Sequence, residues 1–468
     1  MADYDAEDAP WYDYSEDITK VVISSGVTSI GEFAFCYFED LTSVSIASTV
    51  KSIEESAFEC CYSLTSLTIP SGVTYIGEYA FGWCSGLKSV TIPSSVTHID
   101  DYAFLECSAL TSVSGISSGC ELGDRVFLGC SSLANSSGFV IVNNILFDYT
   151  GSAASVTVPS GVTKIAGYVF SNDDLVSVTI PSSVKTIGTA AFQDCEDLVT
   201  VHLSSGLTTI ESYAFNYCFA LSSITLPSTV TKIGRYAFAY CSCLKSITIP
   251  SGVTAIRDSA FRSCTGLTSV SLPSGLTRID DFAFSYCTAL TSLTIPSSVT
   301  AIGDCAFTYM DKLTSITFKG SAPEIGEEIF EGDKLTAYYS IKDSSWTSSV
   351  KQQYGGYVTW ATYGKKDQTI QVKASSLKET IKVKKLNKKN QTFKLKASTS
   401  GNGKLTYSKV KWKKDKTGNK VKINKNGKVT VRKGLKAGTY KVKVKVKAAG
   451  TSNYDSATVT KTITIKVK

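Results

Sequence analysis

A phenylalanine, usually preceded by alanine, returns along the chain at Phe35, Phe58, Phe81, Phe104, Phe127, Phe170, Phe192, Phe215, Phe238, Phe261, Phe284, Phe307 and Phe330. The interval is 23 residues throughout, except 43 between Phe127 and Phe170 and 22 between Phe170 and Phe192. A unit of this length cannot enclose a core of its own. It must stack on copies of itself, each burying its apolar edge against the next. The recurrence therefore excludes an ordinary globular core for most of the chain.

One unit, residues 84–104, reads CSGLKSVTIPSSVTHIDDYAF. Leu87, Val90 and Ile92 have the spacing L-x-x-L-x-L, the strand signature of a leucine-rich repeat. Val90 and Ile92 alternate inward, while Ser89 and Thr91 point to solvent. Pro93 ends the strand, because it can neither donate to the ladder nor continue it. Val96, Ile99, Ala103 and Phe104 form a second inward set on the returning half. Eight of the ten prolines occupy this strand-ending position: Pro70, Pro93, Pro159, Pro181, Pro227, Pro250, Pro273 and Pro296. The long interval before Phe170 contains GFVIVNNILFDYTG, two apolar runs about Asn143-Asn144, which predicts a β-hairpin protruding from the array over about 134–152.

The texture changes after Tyr363. Residues 364–468 hold 30 Lys and one Arg against Asp367, Glu379, Asp415 and Asp455, a charge of +27. The whole chain carries +7, which leaves −20 on residues 1–363. The tail alternates in short runs at 369–373, 380–384, 392–396, 409–413, 420–423, 428–431, 439–446 and 457–467. Val442, Val444 and Val446 face one way and the intervening lysines the other, a half-buried strand. Seven or eight such strands in about 100 residues predict a β-sandwich. The expected fold is thus mainly β: a leucine-rich repeat solenoid of about 13 repeats of 23 residues, then a sandwich. The expected divisions are a lead-in at 1–20, the array at 21–337, a cap and junction at 338–363, and the basic sandwich at 364–468.

The recurring L-x-S-V-T-I-P-S-S-V-T-x-I-G-x-Y-A-F-x-x-C resembles the repeat of BspA-type leucine-rich repeat surface proteins of bacteria. Pro10-Trp11-Tyr12 is similar to the lead-in of that family, which implies that Met1 is an internal methionine of a longer protein. Ser345-Trp346, Tyr354-Gly355-Gly356 and Trp360 resemble the cap that closes such arrays. GKVTVRKGLKAGTYKVKV in the tail is similar to bacterial Ig-like domains. The resemblance implies an extracellular or cell-surface, adhesin-like protein that binds host or extracellular-matrix proteins.

Chemistry is sparsely provided. His98 and His202 are the only histidines. A nucleophile–histidine centre or a histidine metal site needs such a residue beside its partners. Both read as ordinary solvent residues. Of 14 cysteines, nine lie three residues after a repeat phenylalanine: Cys61, Cys84, Cys107, Cys130, Cys195, Cys218, Cys241, Cys264 and Cys287. They read as small buried hydrophobes stacked rung over rung; disulfides would strain a regular ladder. The acidic pairs Asp100-Asp101, Asp173-Asp174 and Asp280-Asp281 are neighbours on one turn, whereas glycoside hydrolysis needs carboxylates facing across a cleft. No cofactor, metal or catalytic residue is expected. No run approaches the 18 apolar residues of a membrane span.

Aromatic residues recur two positions before and after the repeat phenylalanine, paired at Tyr79/Trp83, Tyr213/Tyr217, Tyr236/Tyr240 and Phe282/Tyr286. Packing between neighbouring loops is their ordinary use; exposed on adjacent rungs, they would form a strip suited to protein hot spots or sugar stacking. Lys232, Arg235, Lys245, Arg257, Arg262 and Arg278 make the one basic stretch of the array beside them. The expected contact surface is therefore 213–286, with Tyr213, Tyr217, Tyr236, Tyr240, Arg235, Arg257, Arg262, Phe282 and Tyr286 as its binding residues. The leading expectation is a non-enzymatic interaction protein. The alternatives are a module binding carbohydrate or cell-wall polymer, and a β-solenoid enzyme degrading polysaccharide. Nucleic acid is not expected, because the tail's lysines come with one Arg and only five aromatics, no platform for stacking bases. An anionic wall polymer, lipid head groups or acidic glycans are the expected partners of that tail, and the alternative is a soluble spacer.

Overall fold

The computed structural model describes residues 1–5 and 8–468. They form two compact units, Met1–Ala337 with Thr347–Trp360, and Tyr338–Trp346 with Ala361–Lys468.

The first unit is a solenoid in which three ladders of hydrogen bonds join each rung to the next. One is made by the strands of the L-x-x-L-x-L segment, such as Ser89–Thr91 and Ser112–Ser114, parallel with Val90 opposite Val113. Their burial alternates as expected, with Val90 inside and Ser89 and Thr91 outside. A second is made by two-residue strands, among them Tyr75–Ile76, His98–Ile99 and Glu121–Leu122, also parallel and offset by one repeat. The third was not legible in the sequence. It runs through the turn around each repeat phenylalanine, where Tyr79, Phe81 and Trp83 donate their amides to the carbonyls of Asp101, Ala103 and Leu105. The same three-bond pattern recurs at Tyr213, Phe215 and Tyr217 onto Arg235, Ala237 and Ala239.

Inside these ladders the repeat phenylalanines form a column. From Phe35 to Phe127 and again from Phe170 to Phe330, successive rings stack 4.9 to 6.2 Å apart and within 20° of parallel. Trp11 of the lead-in stacks on Phe35 at 5.5 Å, covering the first ring, and donates its indole N–H to the Ala34 carbonyl. The nine cysteines do more than fill space. Each thiol donates to the carbonyl of the phenylalanine one rung back, as in Cys84 to Phe58 and Cys241 to Phe215. The small buried hydrophobe thus also satisfies a buried acceptor. All 14 cysteines are free thiols among the described residues.

The expected protruding hairpin is corrected. Phe139–Val142 and Ile145–Tyr149 do pair antiparallel, but the second strand also pairs parallel with Lys164–Ile165 and takes a place in the ladder. Its apolar residues explain why: Val140, Leu146 and Phe147 are fully buried, so the hairpin carries core rather than solvent surface. Phe147 meets Phe127 edge to face at 5.2 Å, and Tyr149 meets Phe170 at 5.4 Å. The hairpin thus places a ring against each of the two stacked columns.

After Phe330 the pattern is closed by backbone rather than by another full repeat. Phe330 donates its amide to the Tyr354 carbonyl, the role a following rung would fill. Gly355 next to it has φ +82°, and a Cβ there would meet Glu331 at 3.1 Å, so both backbone and space favour glycine.

The second unit is mainly β, with one α-helix, Val383–Lys388, and short 3-10 helices at Ala374–Leu377 and Gly418–Lys420. A four-stranded sheet holds Lys378–Ile381, Ala457–Val467, Gly438–Ala448 and Leu405–Val410, in that order. A three-stranded sheet holds Gln391–Lys394, Lys428–Val431 and Val421–Ile423, and a two-stranded one Ile370–Val372 and Ala397–Thr399. Val429, Val431, Val442, Val444, Val446, Ile463 and Ile465 meet in one core between them. Two expected strands are displaced. The run at 380–384 ends at Ile381 because Val383 and Leu386, three apart, bury one face only as a helix. The run at 409–413 moves back to Leu405–Val410, leaving Trp412 in the turn that follows.

Candidate interaction surface

The aromatics flanking the repeat phenylalanines owe their position to an unusual backbone. Tyr213, Tyr217, Tyr236, Tyr240, Phe282 and Tyr286 all have φ between 54° and 63°, the left-handed region that favours glycine. A β-carbon there costs about 1–2 kcal/mol. The third ladder holds each of these residues in place, since each donates its amide to the next rung. The phenylalanine between them points into the core, and both flanking rings stand at the surface.

Tyr213 and Tyr286 are each 39% exposed; Tyr217, Tyr236, Tyr240 and Phe282 are half-buried. The rings stack along the array rather than across it. Tyr213 lies 4.9 Å from Tyr236 and Tyr217 lies 4.5 Å from Tyr240, both pairs near parallel. Phe219, which the spacing argument missed, adds an exposed ring edge-on to Tyr217 at 5.7 Å. The strip is not continuous. The next rung has Ser259 and Ser263 at the two aromatic positions, and a second patch begins at Phe282 and Tyr286, extending to Tyr309 5.0 Å from Tyr286. Arg262 lies at that interruption, its guanidinium 5.3 Å from the Phe282 ring and 5.9 Å from Tyr286.

The basic stretch carries its own counter-charges. Arg235 pairs with Asp258, Arg257 with Asp280, Arg278 with Asp280, and Lys232 with Glu211. All of these but Glu211, with Ser212, Gly234 and Asp281, line a shallow concavity of 420 Å³. In three of the four pairs the acid comes from a neighbouring rung, so a reading along the chain that counts only Lys and Arg overstates the local positive field. Of the three arginines expected in the contact surface, Arg262 alone lies over aromatic rings; Arg235 and Arg257 lie in the paired groove.

The BspA-type leucine-rich repeat region model matches the chain in six copies, over residues 10–134, 140–265 and 231–346. Together these stretches span well over half of the chain. It belongs to the BspA-type leucine-rich repeat family. No curated protein matches it. Among solved structures it is similar to the leucine-rich repeat protein of T. pallidum, at 34% identity over 36% of this chain and 82% of that one, with a TM-score of 0.35. A leucine-rich repeat protein from Bacteroides ovatus is 23% identical over 78% of this chain and 88% of that one, with a TM-score of 0.41. A leucine rich cell surface protein from Faecalibacterium prausnitzii is 28% identical over 65% and 82%, with a TM-score of 0.33.

The remaining polar residues of this BspA-type array serve the stack. His98 is not an isolated solvent residue: Asp100 lies 2.8 Å from its Nε2 and Glu121 3.1 Å from its Nδ1. Both ring nitrogens are thereby engaged, and Tyr75 stacks on the ring. His202 stands on the outer face of its strand. Asp101 and Asp281 each accept a backbone amide from the next rung, at Asp124 and Asp304. Burial pushes the Cys195 and Cys264 thiols up to about 12, far from thiolate chemistry at neutral pH. Among the described residues no group of three or more His, Cys, Asp or Glu converges as a metal site, and no helix is long and apolar enough to cross a membrane.

Proposed function

We propose that this BspA-type protein is a non-enzymatic surface or secreted adhesin-like protein that binds a host or extracellular-matrix protein through residues 213–286. The ladder-held aromatic pairs Tyr213/Tyr236 and Tyr217/Tyr240, with Tyr213 exposed and the other three rings half-buried, carry this reading. Rings fixed by backbone lose little freedom on binding, and aromatic and arginine side chains dominate protein hot spots. Arg262, between the two patches, supplies a cation already seated against rings. The lysine-rich unit is read as an Ig-like sandwich accompanying this surface. The test is binding of the full chain to immobilised fibronectin, laminin and collagen, with Tyr217→Ala, Tyr240→Ala and Arg262→Ala compared with the parent. Loss of binding with unchanged melting supports the surface. Undiminished binding by all three variants refutes it, and selective capture by neutral glycans on an array transfers the function to carbohydrate.

A further inference from the structure

The second unit contains an arrangement that the repeat surface does not explain. Trp412 follows the strand Leu405–Val410, in a turn closed by the Asp415 amide on the Trp412 carbonyl. Asp415 in turn accepts from the Thr417 amide and hydroxyl and pairs with Lys409 at 2.7 Å. Burial opposes ionisation of Asp415, but the bonds from Lys409 and Thr417 outweigh it and hold the carboxyl below its ordinary range. The Lys409–Asp415 pair is therefore internally neutral. With Trp412, Val421, Ile423 and the exposed Lys411 and Lys422 it lines a concavity of 470 Å³. Lys443, from the neighbouring strand, stands over the indole 4.9 Å from its centroid.

Two features lack a structural use. The Trp412 indole N–H is shielded from solvent and has no hydrogen-bond partner among the described residues. Buried tryptophan N–H groups ordinarily find an acceptor, because leaving a donor unpaired costs about 1–3 kcal/mol. Lys411 and Lys422 are exposed with no ion pair among the described residues, while the only acid of the concavity is already spent on Lys409. The concavity thus offers a half-buried indole and a positive rim that no acid compensates.

We infer that this concavity binds an acidic polysaccharide, with a pyranose against the Trp412 ring and a uronate carboxylate met by Lys411, Lys422 or Lys443. A sugar ring has an apolar C–H face for the indole. A carboxylate on a flexible polymer suits the point charges of lysine, whereas planar bidentate recognition favours arginine. A single tryptophan with no neighbouring aromatic row does not make a platform for successive nucleic-acid bases. The site lies wholly in the lysine-rich unit and stands or falls separately from the repeat surface.

The test is titration of the full chain with polygalacturonate, neutral dextran and poly(dT) of matched charge. Polygalacturonate should bind, more weakly as salt is raised, and dextran should not. Trp412→Ala should weaken binding about tenfold, the scale of one lost aromatic stack. Lys411→Gln with Lys422→Gln, which leaves the packing of the turn intact, should weaken it about threefold. Lys384→Gln with Lys388→Gln, on the helix away from the concavity, should change it less than the rim pair. Unchanged affinity in both Trp412→Ala and the rim variant overturns the proposal, as does equal loss from the helix lysines. Binding of poly(dT) as tight as polygalacturonate, or equal binding of dextran, overturns it too.

Discussion

Asp333 occupies the position that nine other rungs fill with cysteine, three residues after the repeat phenylalanine. It is 2% exposed, and neither carboxyl oxygen has a hydrogen-bond partner among the described residues. Burial pushes its pKa from 3.8 up to about 7; Asp311 adds to the shift and the Met310 amide opposes it. A group whose acid form is favoured in the fold holds an extra proton there between these two values. Its contribution is therefore full below about pH 4 and is lost as pH climbs to about 7, after which it is constant. About three units at 1.36 kcal/mol each make the loss about 4 kcal/mol. Asp333→Asn removes the titration without changing shape, and Asp333→Cys restores a thiol able to donate to the Phe307 carbonyl. Both variants should match the parent near pH 4 and exceed it by a few kcal/mol at pH 8. Urea unfolding at the two pH values, with hydrogen exchange of the amides of Phe307 and Phe330 to localise the effect, measures the gain. A gain that is the same at both pH values, or a parent terminal rung more protected at pH 8 than the variants, would refute the reasoning.

Phe215→Ala removes a fully buried ring from the middle of the column and should cost about 3–5 kcal/mol, read as a lower urea midpoint. Tyr236→Ala and Tyr236→Gly lose the same ring, but only glycine relieves φ 55°; the glycine variant should be the more stable by about 1 kcal/mol, the reverse of the usual order in regular structure. Native thiol labelling should modify Cys243, the one exposed cysteine, quickly and Cys305 slowly; the 12 buried thiols should react only on unfolding.

Much of this was legible because stacking repeats turns one local pattern into a long-range rule. Once Val90, Ile92 and Phe104 are seen to recur at one period, their inward direction and parallel pairing follow, since each unit can satisfy its apolar edge only on its neighbours. The hairpin about Asn143-Asn144 was visible as a turn signal, but its place in the ladder depended on which strand edge it met. The lysine alternation revealed strands, though not that Lys443 would lie over Trp412. That contact joins residues 31 positions apart across a strand pair.

By itself the sequence determined a stacked β array with a phenylalanine column, free buried thiols, and a separate basic β unit. Periodicity and hydrophobicity are properties each rung carries alone. Only the tertiary structure decided what the surface presents. Tyr217 and Tyr240 adopt the left-handed backbone without glycine because amide bonds to the following rung hold it. The charge around Arg235 and Arg257 is neutralised by acids supplied from rungs 23 residues away. Both effects arise between neighbouring units, where no single repeat contains the partner.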